Sequence, residues 1–220
     1  MTFSILAKDP ASGAIGGAAA TGSLCVGGWV LRGIPGVGMS ASQGMSPSTL
    51  WGENVLALLK DGQAPGQALA SVVAPDRGKA QRQLSVLNRV GESAVFSGER
   101  NTPQVSEREF ECGIAAGNML MNDTVIDALV DGYLGAVGPF PHRLLEALQA
   151  ADAEGSDLRG LQSAAVLVLS PSRAPLTLRV DFSEEPLAAL AGLLRRATSG
   201  DYAAWIENVP TLEESEKCFD

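Results

Sequence analysis

The most constraining feature of the sequence is the segment Ser163–Ser170, which reads SAAVLVLS and is apolar without interruption between its two serines. A strand with one face in water alternates apolar and polar residues, whereas an unbroken apolar run of this length is typical of a strand covered on both faces. We therefore expect the sheet that contains this segment to have other layers packed on both of its sides.

The rest of the chain alternates blocks of strands with pairs of helices. Thr2–Lys8 and Ala14–Thr21 predict an opening β-hairpin, and Trp29–Arg32 and Val37–Gln43 predict two further strands. Segments with helical spacing of Leu, Val and Ala follow in pairs. A doubly wound parallel fold would alternate strand and helix strictly, so this order predicts an α+β fold of two mainly antiparallel sheets flanked by helical layers.

The domain organisation is predicted to be simple. The chain of 220 residues shows neither an internal repeat nor a linker, so we expect a single domain over residues 1–200. Residues 98–110 are polar and are predicted to form a loop. Residues 201–220 are predicted to form an acidic C-terminal extension that is solvated.

The charge balance argues against several classes of partner. The chain has 16 Lys and Arg residues and 25 Asp and Glu residues, so its formal net charge is −9. The basic residues form no dense cluster in the sequence. Nucleic acids and anionic membrane surfaces attract basic proteins, so neither is expected as a partner. No apolar run approaches the roughly 18 residues of a membrane span, and the start of the chain lacks the features of a secretory signal. We therefore expect a cytoplasmic protein.

The titratable residues limit the chemistry further. His142 is the single histidine, which leaves almost no material for a histidine-based triad or a multi-histidine metal site. The three cysteines are far apart and form no CxxC pair, a pattern that fits a reducing compartment rather than a zinc site. Phosphate-binding and dinucleotide-binding motifs are also absent. The sequence therefore predicts neither a metal nor a cofactor.

Thr2 offers a way to do hydrolytic chemistry without histidine. Methionine before a small residue is normally excised, which would leave Thr2 with a free α-amine. Such an amine titrates near about 7.7–8.0, and a threonine with an N-terminal amine is a recognised pair of nucleophile and base. Many proteins also begin with Met-Thr for no catalytic reason, so the residues alone leave both interpretations open.

Several sequence blocks, in a fixed order over residues 2–195, resemble the bacterial family catalogued as domain of unknown function 1028. The blocks are MTFSILAKDPASGAIGGAAATGS, GVGMSASQ, RQLSVL, FSGER, AAGNML, GSDLRGLQSAAVLVLS and LRVD. The resemblance implies the N-terminal nucleophile (Ntn) hydrolase fold, a four-layer αββα sandwich. It also implies that Thr2 opens the first central strand and acts as the nucleophile, with Arg32 near the position where related enzymes carry a lysine that lowers the pKa of the amine.

Polar residues at strand ends are the other candidates for the site. Gln43 and Gly44 end one predicted strand, where a backbone N–H is able to face a developing oxyanion, and Asn118 ends another. Ordinary strand-end polarity explains these residues equally well.

A second group of candidates precedes the buried strand near the C-terminal end. Asp157, Arg159, Gln162 and Ser163 are candidates for binding substrate, or else Asp157 and Arg159 only lock a turn. Arg32 and Arg159 are candidates for orienting a carboxylate on the substrate, because a guanidinium pairs with a carboxylate through two hydrogen bonds.

Three functions stay open at this point. The first is an Ntn-type amidohydrolase that cleaves a C–N bond of a small amide or ureido compound and forms a homodimer or higher homo-oligomer. The second is a protein of the same fold that binds a small ligand without turnover. The third is an assembly protein whose Gly/Ala-rich face makes contacts between copies, since ten of the 25 glycines fall in residues 13–44.

Overall fold

The computed structural model describes residues 2–155 and 160–219, and these contain ten strands and seven α-helices. The strands are β1 (Thr2–Lys8), β2 (Ile15–Thr21), β3 (Leu31–Ile34), β4 (Gly38–Gln43), β5 (Gln83–Asn88), β6 (Ser93–Ser97), β7 (Val105–Phe110), β8 (Gly113–Asn118), β9 (Ser163–Ser170) and β10 (Arg173–Val180). The helices are α1 (Val26–Trp29), α2 (Thr49–Lys60), α3 (Pro65–Val73), α4 (Val125–Gly135), α5 (Phe140–Glu154), α6 (Pro186–Ala197) and α7 (Gly200–Ile206).

The strands form two sheets in which every pair of neighbours is antiparallel. The larger sheet has six strands in the order β10-β9-β2-β1-β8-β7, so β1 and β2 lie at its centre. The smaller sheet has four strands in the order β3-β4-β5-β6. Because side chains alternate between the faces of a strand, each sheet has one face toward the other sheet and one face toward helices.

Three hydrophobic clusters fill the spaces between four layers. One joins α4, α5 and α6 to the outer face of the larger sheet, and another joins α2 and α3 to the outer face of the smaller sheet. The third lies between the two sheets and includes Leu6, Met39, Leu87 and Leu169. The predicted αββα sandwich is therefore confirmed, and β9 is covered on both faces as its apolar run indicated.

The glycines and alanines of β2 permit this close layering. All seven residues of β2 are buried. A Cβ atom on Gly16 would lie 2.9 Å from the ring of Phe140 on α5, and one on Gly17 would lie 2.7 Å from Leu6 Cδ2. The Gly/Ala-rich face therefore packs inside the molecule, and it does not provide the exposed surface that the assembly hypothesis needs.

Two predicted local structures were wrong. Residue Trp29 was expected in a strand, but Val26–Trp29 is helix α1, and β3 begins only at Leu31. Ser163 Oγ, which is remote in sequence, accepts the Val26 N–H at 3.0 Å and thereby holds this turn of helix. Residues 98–110 were expected to be a loop, but Val105–Phe110 forms the edge strand β7, whose charged side chains are typical of exposed edges.

The C-terminal segment lies against the body of the protein. Helix α7 follows α6 almost directly, and Glu213 donates its backbone N–H to Pro171 O at 3.0 Å. Leu212 also approaches the turn between β3 and β4, since a Cβ on Gly36 would lie 3.1 Å from Leu212 Cδ2. Across residues 2–155 and 160–219, we find no helix with the length and apolar character needed to span a bilayer.

Candidate active site

A row of polar residues crosses the larger sheet at the end where β1 begins. Thr2 lies directly opposite Thr21 of β2 and directly opposite Asn118 of β8, and Thr21 in turn lies opposite Ser163 of β9. Directly opposed residues of antiparallel strands project from the same face. This face is the one toward the smaller sheet, because Leu6 on the same side of β1 belongs to the core between the sheets.

Thr2 lies in a pocket with a volume of about 510 Å³. Three of the polar lining residues are Thr2, Thr21 and Gln43, and Gly44 lies beside them. The other described lining residues are Ser23, Leu24, Val26, Trp29, Val30, Met45, Ser46, Pro47 and Met119. The structure therefore brings three of the predicted site residues, Thr2, Gln43 and Gly44, into one cavity.

The hydroxyl of Thr2 is held by its neighbour on β2. Thr2 Oγ1 donates a hydrogen bond to Thr21 Oγ1 at 3.1 Å, and Thr2 is partly buried. A hydroxyl held at the wall of a cavity is a suitable nucleophile if a base is adjacent, because its reacting atom is fixed in one place.

Gln43 fixes the main chain of Thr2 from the opposite sheet. Its side chain is 1% exposed, and Nε2 donates to Thr2 O at 3.2 Å, to Gln83 Oε1 at 2.7 Å and to Ala116 O at 3.2 Å. Its Oε1 accepts the hydroxyl of Ser4 at 2.8 Å. These bonds set the orientation of the amide and join the two sheets at the site. Gln43 therefore supports Thr2 rather than offering a free group to a ligand.

Gln83 extends this buried network and was not predicted as a site residue. Its Nε2 donates to Ser97 Oγ at 2.8 Å and to Gly117 O at 3.1 Å. Ser97 donates in turn to the carboxylate of Glu107 at the surface. The available signal was the polar residue that opens the block QLSVL, since a fully buried glutamine in a strand requires partners.

Gly44 lies at a point where no side chain fits. Its φ is +131°, and a Cβ would lie 2.5 Å from Gln81 O and 2.9 Å from Asn101 Oδ1. Asn101 is fully buried and accepts the Met45 N–H at 2.9 Å. This bond fixes Met45 and Ser46, which follow Gly44 and form the lip of the pocket. Asn101 was also missed, because its segment reads as a polar loop in the sequence.

The lip is held from outside as well. Arg82 Nε donates to Ser46 O at 2.9 Å, and the guanidinium of Arg82 pairs with Asp76. Burial favours the neutral form of Asp76. Hydrogen bonds from the Gly78 N–H and from Trp51 Nε1 at 2.7 Å, together with the charge of Arg82, outweigh this effect and lower the pKa of Asp76. The pocket lip thus depends on an ionised carboxylate.

Asn118 is the exception in this well-bonded region. It is 1% exposed, and neither Nδ2 nor Oδ1 has a hydrogen-bond partner within residues 2–155 and 160–219. An unpartnered buried amide costs about 1–3 kcal/mol, so such a group in a folded protein requires an explanation. Asn118 lies directly opposite Thr2 on the same face of the sheet, but it is not among the described residues that line the pocket.

Ser163 and Gln162 support the opposite wall of the pocket. Ser163 Oγ donates to Ser23 O at 2.7 Å and accepts the Val26 N–H, so it fixes the turn that carries two lining residues. Gln162 is half-buried beside it, and its N–H donates to Thr21 O at 2.9 Å. Ser163 therefore has a structural role here. The other two predicted substrate-binding residues, Asp157 and Arg159, lie outside the described residues.

Arg32 is not brought to the site. It is on β3, next along the chain to Leu31, which packs between the sheets, so its side chain lies on the other face, against α2. Its Nε approaches Glu53 Oε1 at 3.6 Å, and Arg32 does not line the pocket. Arg32 is therefore not placed beside Thr2 in this structure, because consecutive residues of a strand point to opposite faces.

Comparison with known families settles the relationship of the chain. Residues 2–190 match the model of the Family of unknown function (DUF1028). The chain belongs to this family. No curated protein matches the chain.

A solved structure of the same family is very similar. The crystal structure of protein SPO2555 from Silicibacter pomeroyi is 50% identical, with a TM-score of 0.96 over 100% of this chain and 96% of that one. Anbu, an ancestral beta-subunit from Yersinia bercovieri, is 11% identical, with a TM-score of 0.42 over 90% of this chain and 97% of that one.

The described part of this DUF1028 site has a simple chemical inventory. The pocket lining carries four hydroxyl side chains, on Thr2, Thr21, Ser23 and Ser46, and the main chain of Gly44. The unpartnered amide of Asn118 lies next to the pocket, opposite Thr2. Among residues 2–155 and 160–219, no group of three His, Cys, Asp or Glu side chains is placed to hold a metal ion.

Proposed function

We propose that this protein is an Ntn-type amidohydrolase that cleaves a C–N bond of a small amide or ureido compound. The observation that carries the proposal is the placement of Thr2. It opens a central strand of an αββα sandwich, it lines a pocket, and the unpartnered amide of Asn118 lies opposite it on the neighbouring strand. The family resemblance, which implies the same fold and nucleophile, supports this interpretation.

The first step needs the free α-amine of Thr2. After excision of Met1, this amine removes the proton of Oγ1 as Oγ1 attacks the substrate carbonyl carbon. One residue then supplies both the nucleophile and the base, so no histidine is required. The hydrogen bond from Gln43 Nε2 to Thr2 O holds the residue in position during this step.

The negative oxygen of the tetrahedral intermediate requires donors. Asn118 Nδ2 has no partner among the described residues and lies on the face of the sheet that carries Thr2, so it is the first candidate. The backbone N–H of Gly44 at the pocket wall is the second. Removing one such donor costs about 10²–10³ in kcat in enzymes of this kind.

The second half of the reaction releases the acyl group. The protonated amine donates its proton to the leaving nitrogen as the C–N bond breaks, which leaves an ester on Thr2 Oγ1. The amine then takes a proton from a water molecule that attacks this ester, and it returns that proton to Thr2 Oγ1 as the bond between Oγ1 and the acyl carbon breaks. The products are a carboxylic acid and an amine, or carbamic acid and an amine for a ureido compound, and the enzyme returns to its starting state.

The test uses untagged protein and a panel of 4-nitroanilides with different acyl groups. We expect turnover by the wild type, less than one thousandth of that rate in Thr2→Ala, and partial activity in Thr2→Ser, which keeps a hydroxyl. Circular dichroism and thermal melting of both variants check that the fold is retained. Equal rates in the wild type and Thr2→Ala would remove Thr2 from the mechanism.

One observation favours a second candidate, a protein that binds a small ligand without turnover. A bound ligand would satisfy the unpartnered amide of Asn118 whether or not a reaction follows. This candidate predicts that ligand amides raise the melting temperature of the wild type and of Thr2→Ala equally, while no product forms.

A cytoplasmic location and a homo-oligomeric state belong to the same proposal. Free thiols at Cys25, Cys112 and Cys218 support a reducing compartment. Analytical ultracentrifugation of the untagged protein measures the oligomeric state directly.

A further inference from the structure

Seven of the thirteen described residues that line the Thr2 pocket are apolar, and some of these are half-exposed. Leu24 and Trp29 are each 53% exposed and Met45 is 50% exposed, and all three line the pocket. Scattered exposed apolar side chains are normal on protein surfaces, but a group of three around one cavity is typical of a binding site.

The exposed side chains sit on segments that the fold holds firmly. Ser163 bonds to the turn before α1 and fixes the segment that carries Leu24 and Trp29. Asn101 accepts the Met45 N–H and fixes the segment that carries Met45. Because buried side chains fix both segments, the apolar mouth exists before any ligand arrives, as in most small-molecule sites.

Charge is missing from the described lining. None of the lining residues among residues 2–155 and 160–219 is Lys, Arg, His, Asp or Glu. Arg32, one of the two arginines expected to orient a carboxylate, packs against α2 instead. A substrate carboxylate in this pocket would lose hydration without gaining a described ionic partner, which is unfavourable.

We infer that the pocket selects a neutral, apolar acyl group attached to the scissile amide, and not an acyl group that ends in a carboxylate. This inference rests on the proposed function and names its substrate class. The acyl carbonyl lies at Thr2 and Asn118, and the chain runs toward the mouth along Trp29 and Met45. The pocket volume of about 510 Å³ accommodates such a chain, being within the usual range of about 300–1,000 Å³.

The experiment compares 4-nitroanilides of acetate, butyrate and hexanoate with the 4-nitroanilide of adipate, which matches hexanoate in carbon number but ends in a carboxylate. We expect kcat/KM to rise about fourfold for each added methylene and the adipoyl compound to react at least about tenfold more slowly than the hexanoyl compound. In Trp29→Ala the preference for hexanoyl over acetyl falls about tenfold. Trp205→Ala is the matched control, because Trp205 is 48% exposed on α7 and does not line the pocket.

Faster turnover of the adipoyl compound, with that preference lost in Arg159→Ala, would overturn the inference and leave the proposed hydrolase intact. Binding measurements distinguish the inference about the acyl group from the proposed hydrolase activity. Calorimetry with hexanamide and with adipamate on Thr2→Ala measures ligand class without chemistry. Selective binding of hexanamide that Trp29→Ala weakens, in the absence of any turnover, would support the apolar pocket and reject the hydrolase. Equal binding of the two compounds would overturn the inference.

Discussion

Thr2 Oγ1 lies 3.1 Å from Thr21 Oγ1, and the two threonines face each other directly across the central strands β1 and β2. The bond orients the Thr2 hydroxyl along the sheet surface, with Asn118 on its other side. An interior hydroxyl pair could be purely structural, but this pair opens onto a pocket. The Thr2 hydroxyl is therefore held in one orientation at a surface that a ligand is able to reach.

Gln43 joins Thr2 to the second sheet, so its loss should affect both stability and rate. In Gln43→Leu, Gln83 Oε1 and Ser4 Oγ lose buried partners, and we expect a loss of about 1–3 kcal/mol in the free energy of unfolding. We also expect kcat to fall more than KM changes, since Thr2 is no longer held. Urea unfolding and steady-state kinetics measure the two effects.

The control for this variant is Ser85→Ala. Ser85 is also buried, but its hydroxyl has no partner within the described part of the chain, so its removal breaks no such bond. We expect Ser85→Ala to be neutral or slightly stabilising. A neutral Gln43→Leu would show that the network between the sheets contributes nothing.

Gly44→Ala should destabilise the protein and disturb the pocket. Its φ of +131° disfavours a side chain, and the added Cβ would meet Gln81 O at 2.5 Å. We expect a loss of about 1–3 kcal/mol, measured by thermal melting. Gly192→Ala is the control, because Gly192 is in α6 with no atom within 4 Å of the added Cβ, and it should stabilise by up to about 1 kcal/mol.

The pH dependence of stability should report on Asp76. Its pKa is lowered in the folded protein, so the unfolded chain binds the proton more tightly. The contribution of Asp76 to the free energy of unfolding is therefore complete above the pKa of the unfolded state, about 3.9. It is lost as the pH falls through the lower pKa of the folded state. In denaturant titrations between pH 6 and about pH 2, the free energy of unfolding should fall less steeply with pH in Asp76→Asn than in the wild type. Parallel curves would exclude Asp76 as a source of acid sensitivity.

The pH dependence of the rate should report on the α-amine. Arg32 pairs with Glu53 and does not line the pocket, so it is not placed to act on the amine. We expect kcat/KM to rise with pH and to level off with an apparent pKa of about 8, the ordinary value for this group. An apparent pKa below about 7 would point to a cation that acts on the amine.

Arg32→Met should leave catalysis unchanged. Arg32 pairs with the half-exposed Glu53, and such exposed pairs contribute about 0–1 kcal/mol. We expect kcat/KM within about twofold of the wild type, whereas Thr2→Ala is inactive. A loss of activity in Arg32→Met without a loss of stability would restore the role that its position in the sequence suggested.

Local patterns predicted two sheets flanked by helical layers, and the resemblance to the family supplied the specific αββα sandwich. The apolar run Ser163–Ser170 requires cover on both faces, and blocks of strands between helix pairs leave few other arrangements. Helix α1 was missed because its first N–H is bonded by Ser163, a residue far away in the sequence. Edge strand β7 was missed because its side chains are polar, as edge strands often require.

The site was only partly predictable for a similar reason. Thr2, Gln43, Gly44 and Asn118 are at strand ends, and strand ends meet in a sandwich, so their proximity follows from the fold. Arg32 was misplaced because sequence spacing does not state which face of a strand a residue occupies until the register is known. Asn101 could not be predicted because it reaches Met45 from a loop that is distant in the sequence, and the path of that loop depends on tertiary contacts.

The most direct test of the account is peptide mass spectrometry of untagged protein after incubation with 4-nitrophenyl hexanoate. The account predicts that the first residue is Thr2, without Met1, and that a hexanoyl group is attached to Thr2 in the wild type and absent in Thr2→Ala. Retention of Met1 on protein that turns over amides, or acylation at another residue that persists in Thr2→Ala, would contradict it.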